Sequence, residues 1–157
     1  KISKRYPSAR FIFIGRDDMG GEVQRAVQAA GLTGIVRCMG FMEDPSDHFR
    51  NARVFVLPAL EREGIPTSIL EASSWGVPAI AYGIDGIPEA IDDSANGFVI
   101  QPGDCNGLQA AIEYFLENPG AAARMGEVGR EKVRNTFSLA ACVAKHDEVF
   151  KTFIDPG

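Results

Sequence analysis

Two carboxylates, Glu63 and Glu71, stand eight positions apart, with Gly64, Pro66, Thr67 and Ser68 between them. The run 53–57 just upstream, apolar from Val54 onward, stops at Pro58 and reads as a buried strand. Residues 69–75 downstream read as a short helix ended by Gly76 and Pro78. Pro66 suits the first helical turn, where a missing N–H costs nothing. The N–H groups of Thr67, Ser68 and Ile69 would then lack intrahelical partners and offer positive potential to a phosphate. Glu71 is placed about one turn further on, within reach of a group on one side of that phosphate. Glu63 precedes the helix, on the other side. A ligand with hydroxyls at both ends and phosphates in the middle fits this arrangement, and a nucleoside-diphosphate sugar is such a ligand.

The Glu63-x7-Glu71 spacing is followed by further motifs in order: Gly64-x-Pro66-x-x-x-Leu70-Glu71-Ala72, Gly76-Val77-Pro78, Gly86-Ile87-Pro88-Glu89, and Asn96-Gly97-Phe98-Val99-Ile100-x-Pro102-Gly103-Asp104. Upstream stands Tyr6-Pro7-x-x-Arg10-Phe11-x-Phe13-Ile14-Gly15. Together these resemble the E-x7-E signature and accompanying motifs of retaining GT-B glycosyltransferases, specifically the large family 4 group. The resemblance covers nearly the whole chain.

The resemblance implies a role for each matching residue. Glu71 matches the carboxylate that accepts from both ribose hydroxyls of the nucleotide, a task suited to two acceptor oxygens. Glu63 matches the acid beside the donor sugar. There it would orient the donor and stabilise an oxocarbenium-like transition state, without acting as a nucleophile. Gly64 and Ile65 would offer backbone N–H groups to sugar hydroxyls, and Thr67 and Ser68 would meet the phosphates. Gly15 and Arg16 match the strand end near the donor. Met42 falls where the family lines the base pocket, and Gly86 and Glu89 remain from a Gly-Gly-x-x-Glu pattern. Asp85 departs from that pattern: a side chain there restricts positive backbone dihedrals and adds charge on the sugar side.

The resemblance also implies what is not here. The family's Arg and Lys on the diphosphate come from a segment ahead of this chain's first strand, and the N-terminal acceptor-binding domain is missing. We therefore expect the C-terminal, donor-binding half of a larger two-domain enzyme, inactive or nearly so alone. We expect no cofactor and no metal, since no Asp-x-Asp motif occurs. The substrate would be a nucleoside-diphosphate sugar, with UDP preferred. A non-catalytic nucleotide- or sugar-binding module and a sugar-nucleotide epimerase of the same fold remain as alternatives.

Composition narrows the classes. The chain has 157 residues, 45% of them apolar, and a formal net charge of −5 with no Lys/Arg cluster. That size matches one domain over residues 1–157, and the charge argues against a nucleic-acid partner. No apolar run approaches a bilayer span and no signal peptide is visible. A cytoplasmic location is expected, with peripheral contact at the inner membrane face left open for the full-length enzyme. Cys38, Cys105 and Cys142 form neither a disulfide framework nor a zinc pattern. Cys142 and His146 stand at i and i+4 but lack further ligands, and His48 reads as a surface or packed histidine.

The elements that must position these residues alternate. Strands are expected at 10–15, 35–39, 53–57, 78–82 and 97–100, and helices at 22–30, 46–51, 69–75, 104–117, 118–135 and 138–153. The first strand's unbroken Phe11–Ile14 apolar run predicts a sheet covered on both faces. Asp104 and the Asn118-Pro119 pair read as helix caps. This pattern calls for an α/β fold, a Rossmann-like parallel sheet with helices on both faces, lacking its first strand. The segments at Gly15, Gly40, Glu63 and Gly83–Glu89 should converge beyond the strands' carboxyl ends.

Overall fold

The structure is a computed structural model and describes residues 1–61 and 64–154, apart from the side chain of Ile154. The chain forms two compact units, Lys1–His48 and Phe49–Gly157.

The first unit holds α1 (Ile2–Arg5), β1 (Phe11–Ile14), α2 (Glu22–Ala29) and β2 (Val36–Gly40). β1 and β2 pair in parallel, Phe11 beside Val36, and the register shifts at Phe13/Ile14 so that Ile14 faces Gly40. α2 ends as its sequence dictates. Gly31 adopts φ +66, and the N–H groups of Gly31 and Leu32 return to the carbonyls of Gln28 and Val27. One expectation fails here. Ile12, Phe13 and Ile14 are 45%, 51% and 38% exposed, so β1 is not covered on both faces. Burying a strand on two sides needs a layer on each. A unit of this size, with two strands and the single two-turn helix α2, has too little chain to supply them.

The second unit is built on β3 (Phe55–Leu57), β4 (Ala79–Tyr82) and β5 (Gly97–Ile100), parallel and in sequential order. Phe55 lies beside Ala79, and Ala79 beside Gly97. Successive side chains point to opposite faces, and each face is apolar. Phe55, Leu57, Ala79, Ala81 and Val99 face α4 (Thr67–Ser74) and α5 (Ile87–Ala90), where Ile69 and Ile87 are fully buried. Val54, Val56, Ile80, Phe98 and Ile100 face α6 (Cys105–Glu117) and α7 (Pro119–Lys132). On that side Phe115 is fully buried, with its ring 5.1 Å from that of Phe98. The parallel sheet with helices on both faces is thus present. α3 (Ser46–Asn51) leads into this unit, and α8 (Leu139–Ile154) ends it, with Val143, Val149, Phe150 and Phe153 exposed.

Helix caps follow the sequence in one case and depart from it in another. The Asp104 carboxylate accepts from the N–H groups of Asn106 and Gly107, at 3.0 and 2.9 Å, and so starts α6. Asn118 does not cap α7 with its side chain. Its Nδ2 donates instead to the Tyr114 carbonyl, closing the end of α6, while the first N–H groups of α7 reach the Asn118 carbonyl. A short π-helical turn, Val133–Phe137, follows α7.

Candidate functional site

The centre of the candidate site is the start of α4. Pro66 is the N-cap, with φ −65 and ψ 122, and the helix begins at Thr67, two residues earlier than the sequence periodicity places it. The Ile69 N–H donates to the Pro66 carbonyl at 3.1 Å. The expectation of three unpartnered N–H groups is therefore corrected for Ile69, because the first turn closes with a tight i→i+3 bond. Thr67 is exposed and Ser68 half-buried.

Glu71 stands on the outer face of α4. Its neighbours Ala72 and Ser73 are buried, as is Ile69, so the helix is anchored while the Glu71 side chain is exposed. No salt bridge among the described residues engages its carboxylate. α4 ends in a left-handed glycine, Gly76 at φ +74. The N–H groups of Gly76 and Val77 return to the carbonyls of Ser73 and Ala72, and Arg130 of α7 donates to the Trp75 carbonyl at 3.3 Å. Glu63, expected beside the donor sugar, lies with Arg62 outside the described residues.

The loop into α4 and the β4–α5 loop meet. Ile65 packs with Ile69, Leu70, Ile84 and Ile87 in one apolar cluster. Gly86 lies against the Gly64 peptide: a β-carbon built on it would stand 2.7 Å from both the carbon and the oxygen of the Gly64 carbonyl, and 3.0 Å from the Ile65 nitrogen. The structure thus brings Gly64, Ile65 and Gly86 together, with Glu89 exposed on α5 one turn further. Asp85 adopts φ +43, a left-handed conformation that a side-chain-bearing residue rarely takes. The following turn is fixed by Asn96. This residue is buried, accepts from the Asp92 N–H at 2.8 Å and donates to the Ala90 carbonyl at 3.1 Å.

Gly15, Arg16 and Met42 belong to the first unit. The Gly15 N–H donates to the Gly40 carbonyl at 3.0 Å, extending the β1–β2 pairing to both strand ends. The Arg16 guanidinium lies 5.2 Å from the centre of the Phe41 ring, and Met42, half-buried, follows. Phe41 did not stand out in the sequence. Only the parallel register that sets Ile14 beside Gly40 brings it next to Arg16.

His146 Nδ1 is 2.8 Å from the Cys142 carbonyl, a bond within one helix turn, and no group of three metal-ligating side chains occurs among the described residues. No helix among them is long and apolar enough to cross a membrane. Tyr82, at the end of β4, is buried. Burial raises its phenol above the usual range, and the neighbouring Cys105 side chain and Asp104 carboxylate add to the rise.

Residues 1–118 match the pattern of the family Glycosyl transferases group 1. EpsD of Bacillus subtilis (strain 168) is 30% identical over 154 residues, which cover 98% of this chain and 40% of EpsD. The chain thus spans well under half the length of that relative. Among solved structures, Anabaena HepE in complex with UDP superposes with a TM-score of 0.85 at 20% identity, over 93% of this chain and 42% of HepE. The C-terminal domain of the group 1 glycosyl transferase LpcC from Francisella tularensis superposes with a TM-score of 0.75 at 23% identity, over 87% of this chain and 74% of that one. These two likenesses speak to the fold. With its strand–loop–helix motif, its parallel sheet and its match over three quarters of its length, the chain belongs to the group 1 glycosyltransferases, and its fold is that of the C-terminal half of the GT-B architecture.

Proposed function

We propose that this chain is the donor-binding domain of a retaining, family 4 glycosyltransferase that moves a sugar from a nucleoside-diphosphate sugar to an acceptor hydroxyl. The observation that carries the proposal is the geometry at α4. An exposed carboxylate, Glu71, stands one turn beyond a helix start, and the Gly64–Ile65 loop lies immediately ahead of it.

In this reading Glu71 accepts from the ribose hydroxyls, and the start of α4 at Thr67 and Ser68 receives phosphate. Gly64, Ile65, Gly86 and Glu89 border the sugar. Met42 is assigned to the base, and Gly15 and Arg16 to the donor, on their motifs alone. Glu63 is assigned to the sugar side on its motif alone. The reaction breaks the bond between the anomeric carbon and the diphosphate oxygen, which leaves with the electron pair. It forms a bond from the acceptor oxygen to the same carbon, with loss of the hydroxyl proton. Positive charge that develops on the sugar ring is stabilised by a nearby carboxylate, the role proposed for Glu63. Charge on the departing diphosphate calls for cationic side chains, and among the described residues the start of α4 carries none. We assign those, and the acceptor site, to other parts of the full-length enzyme. No metal is invoked.

UDP is the preferred nucleotide. The complex of HepE with UDP supports that preference, since HepE shares this fold. Calorimetric titration of the chain with UDP, GDP and ADP tests the proposal. Saturable binding of one of them, UDP foremost, is expected, and no binding of any would overturn it. Sugar transfer by the full-length protein, absent from this chain alone, would separate an enzyme from a binding module.

A further inference from the structure

We infer that Gly86 is a positioning residue: its missing side chain sets where the Gly64 and Ile65 amides stand. The inference rests on the donor-binding reading above and adds to Gly86's place beside the sugar a role exerted through the main chain of its neighbours.

Two features separate this from the usual reason for a glycine. Gly86 has φ −82 and ψ −2, a conformation open to every residue, so backbone freedom does not require glycine there. The left-handed conformation falls one residue earlier, on Asp85, which is not glycine. What requires glycine at 86 is space. A β-carbon would meet the Gly64 carbonyl carbon and oxygen at 2.7 Å and the Ile65 nitrogen at 3.0 Å. All three are main-chain atoms, so no side chain can rotate aside.

The side that yields can also be read. The β4–α5 loop is held by bonds from the Ile87 N–H to Ile84 and from the Glu89 N–H to Gly86, and Ile87 is fully buried beneath it. Gly64 is exposed. A methyl group at 86 would therefore displace the Gly64–Ile65 peptide outward. α4, anchored by Ile69 and Ala72, would stay in place. Sugar-side contacts would change while those at Glu71 remained.

The test compares UDP-glucose and UMP on the wild-type chain and on Gly86→Ala by calorimetry. The variant is expected to lose about tenfold or more in UDP-glucose affinity, the equivalent of one hydrogen bond or more, and to hold UMP within about twofold. Unchanged UDP-glucose affinity, or equal loss of both ligands in a folded variant, would overturn the inference. Failure of the wild type to bind either ligand would instead overturn the donor-binding reading, and this inference with it. If Gly86→Ala does not fold, amide NMR of the wild type decides. UDP-glucose but not UMP should shift the Gly64, Ile65 and Gly86 resonances, and the absence of such shifts in the presence of binding refutes the role.

Discussion

Two glycines one turn apart on α7 should respond to the same substitution with opposite signs. Gly126 lies against the Gly76 turn that ends α4. A β-carbon there would overlap the Gly76 carbonyl oxygen and come within 2.6 Å of its carbon and 3.3 Å of Pro78 Cδ. The obstacle is backbone, so α7 must lift or the turn must give. α7 also carries Ala122 and Met125 into the core with Ile80 and Phe115, and lifting it opens that contact. Overpacking of this kind costs about 1–3 kcal/mol. The helix propensity gained by replacing glycine with alanine offsets only about 1 kcal/mol of that. Gly126→Ala is therefore expected to destabilise the fold by up to roughly 2 kcal/mol. At Gly129 the nearest atoms are Ser73 Cβ and Oγ at 3.5 Å and Asn96 Cβ at 3.6 Å, ordinary contact distances. There the propensity gain stands alone, and Gly129→Ala should stabilise by about 0.5–1 kcal/mol. Urea unfolding followed by fluorescence measures both. The single tryptophan, Trp75, lies at the end of α4 and its carbonyl accepts from Arg130 of α7, so the probe reports on this contact. A destabilised Gly129→Ala, or a Gly126→Ala with the wild-type midpoint, would refute the argument from close approach.

Three further outcomes follow from the packing and the charges. Phe115→Ala removes a fully buried ring that contacts those of Phe98 and Tyr114 and should cost about 3–5 kcal/mol by urea unfolding, whereas Phe115→Leu should cost markedly less. Asp104→Ala removes the cap of α6 and should cost about 1 kcal/mol, most of it recovered by Asp104→Asn. The raised pKa of Tyr82 means that the folded chain holds its phenolic proton to higher pH than the unfolded chain does. Its contribution to stability is complete below the unfolded value of about 10 and is lost as pH rises through the folded one. The stability of the wild type relative to Tyr82→Phe should therefore fall between pH 9 and pH 11 in denaturant titrations, and a constant difference would contradict the shift.

Much of the fold was legible because its signals are local. Alternating apolar runs and turn residues placed the five strands seen among the described residues and the order of the helices. Asp104 marked its helix start through a bond to its own next turn. What the sequence hid depends on contacts between distant segments. The apolar run 11–14 reads as doubly covered, but coverage depends on how much chain surrounds it, and Phe13 is half exposed. The first turn of α4 closes onto Pro66 and takes the Ile69 N–H, an i→i+3 bond that periodicity does not register. Gly86 and Gly126 are each set by the backbone of another segment, Gly64 and Gly76, an approach that no local signal registers. For the site, the sequence placed Glu71 on the helix that follows Pro66, and the structure shows it exposed there. The motif spacing carried no sign that Arg16 would lie over Phe41, which needs the β1–β2 register.

The central claim is that the α4 carboxylate reads the nucleoside of the donor. Calorimetric titration of UDP into the wild-type chain and into Glu71→Ala addresses it directly. The side chain is exposed and alanine favours the helix, so the fold should survive the change. A charge-assisted hydrogen-bond pair is worth about 1.5–3 kcal/mol, so UDP affinity should fall by roughly 10- to 150-fold. Equal affinity of the two proteins for UDP would remove Glu71 from the site and contradict the account.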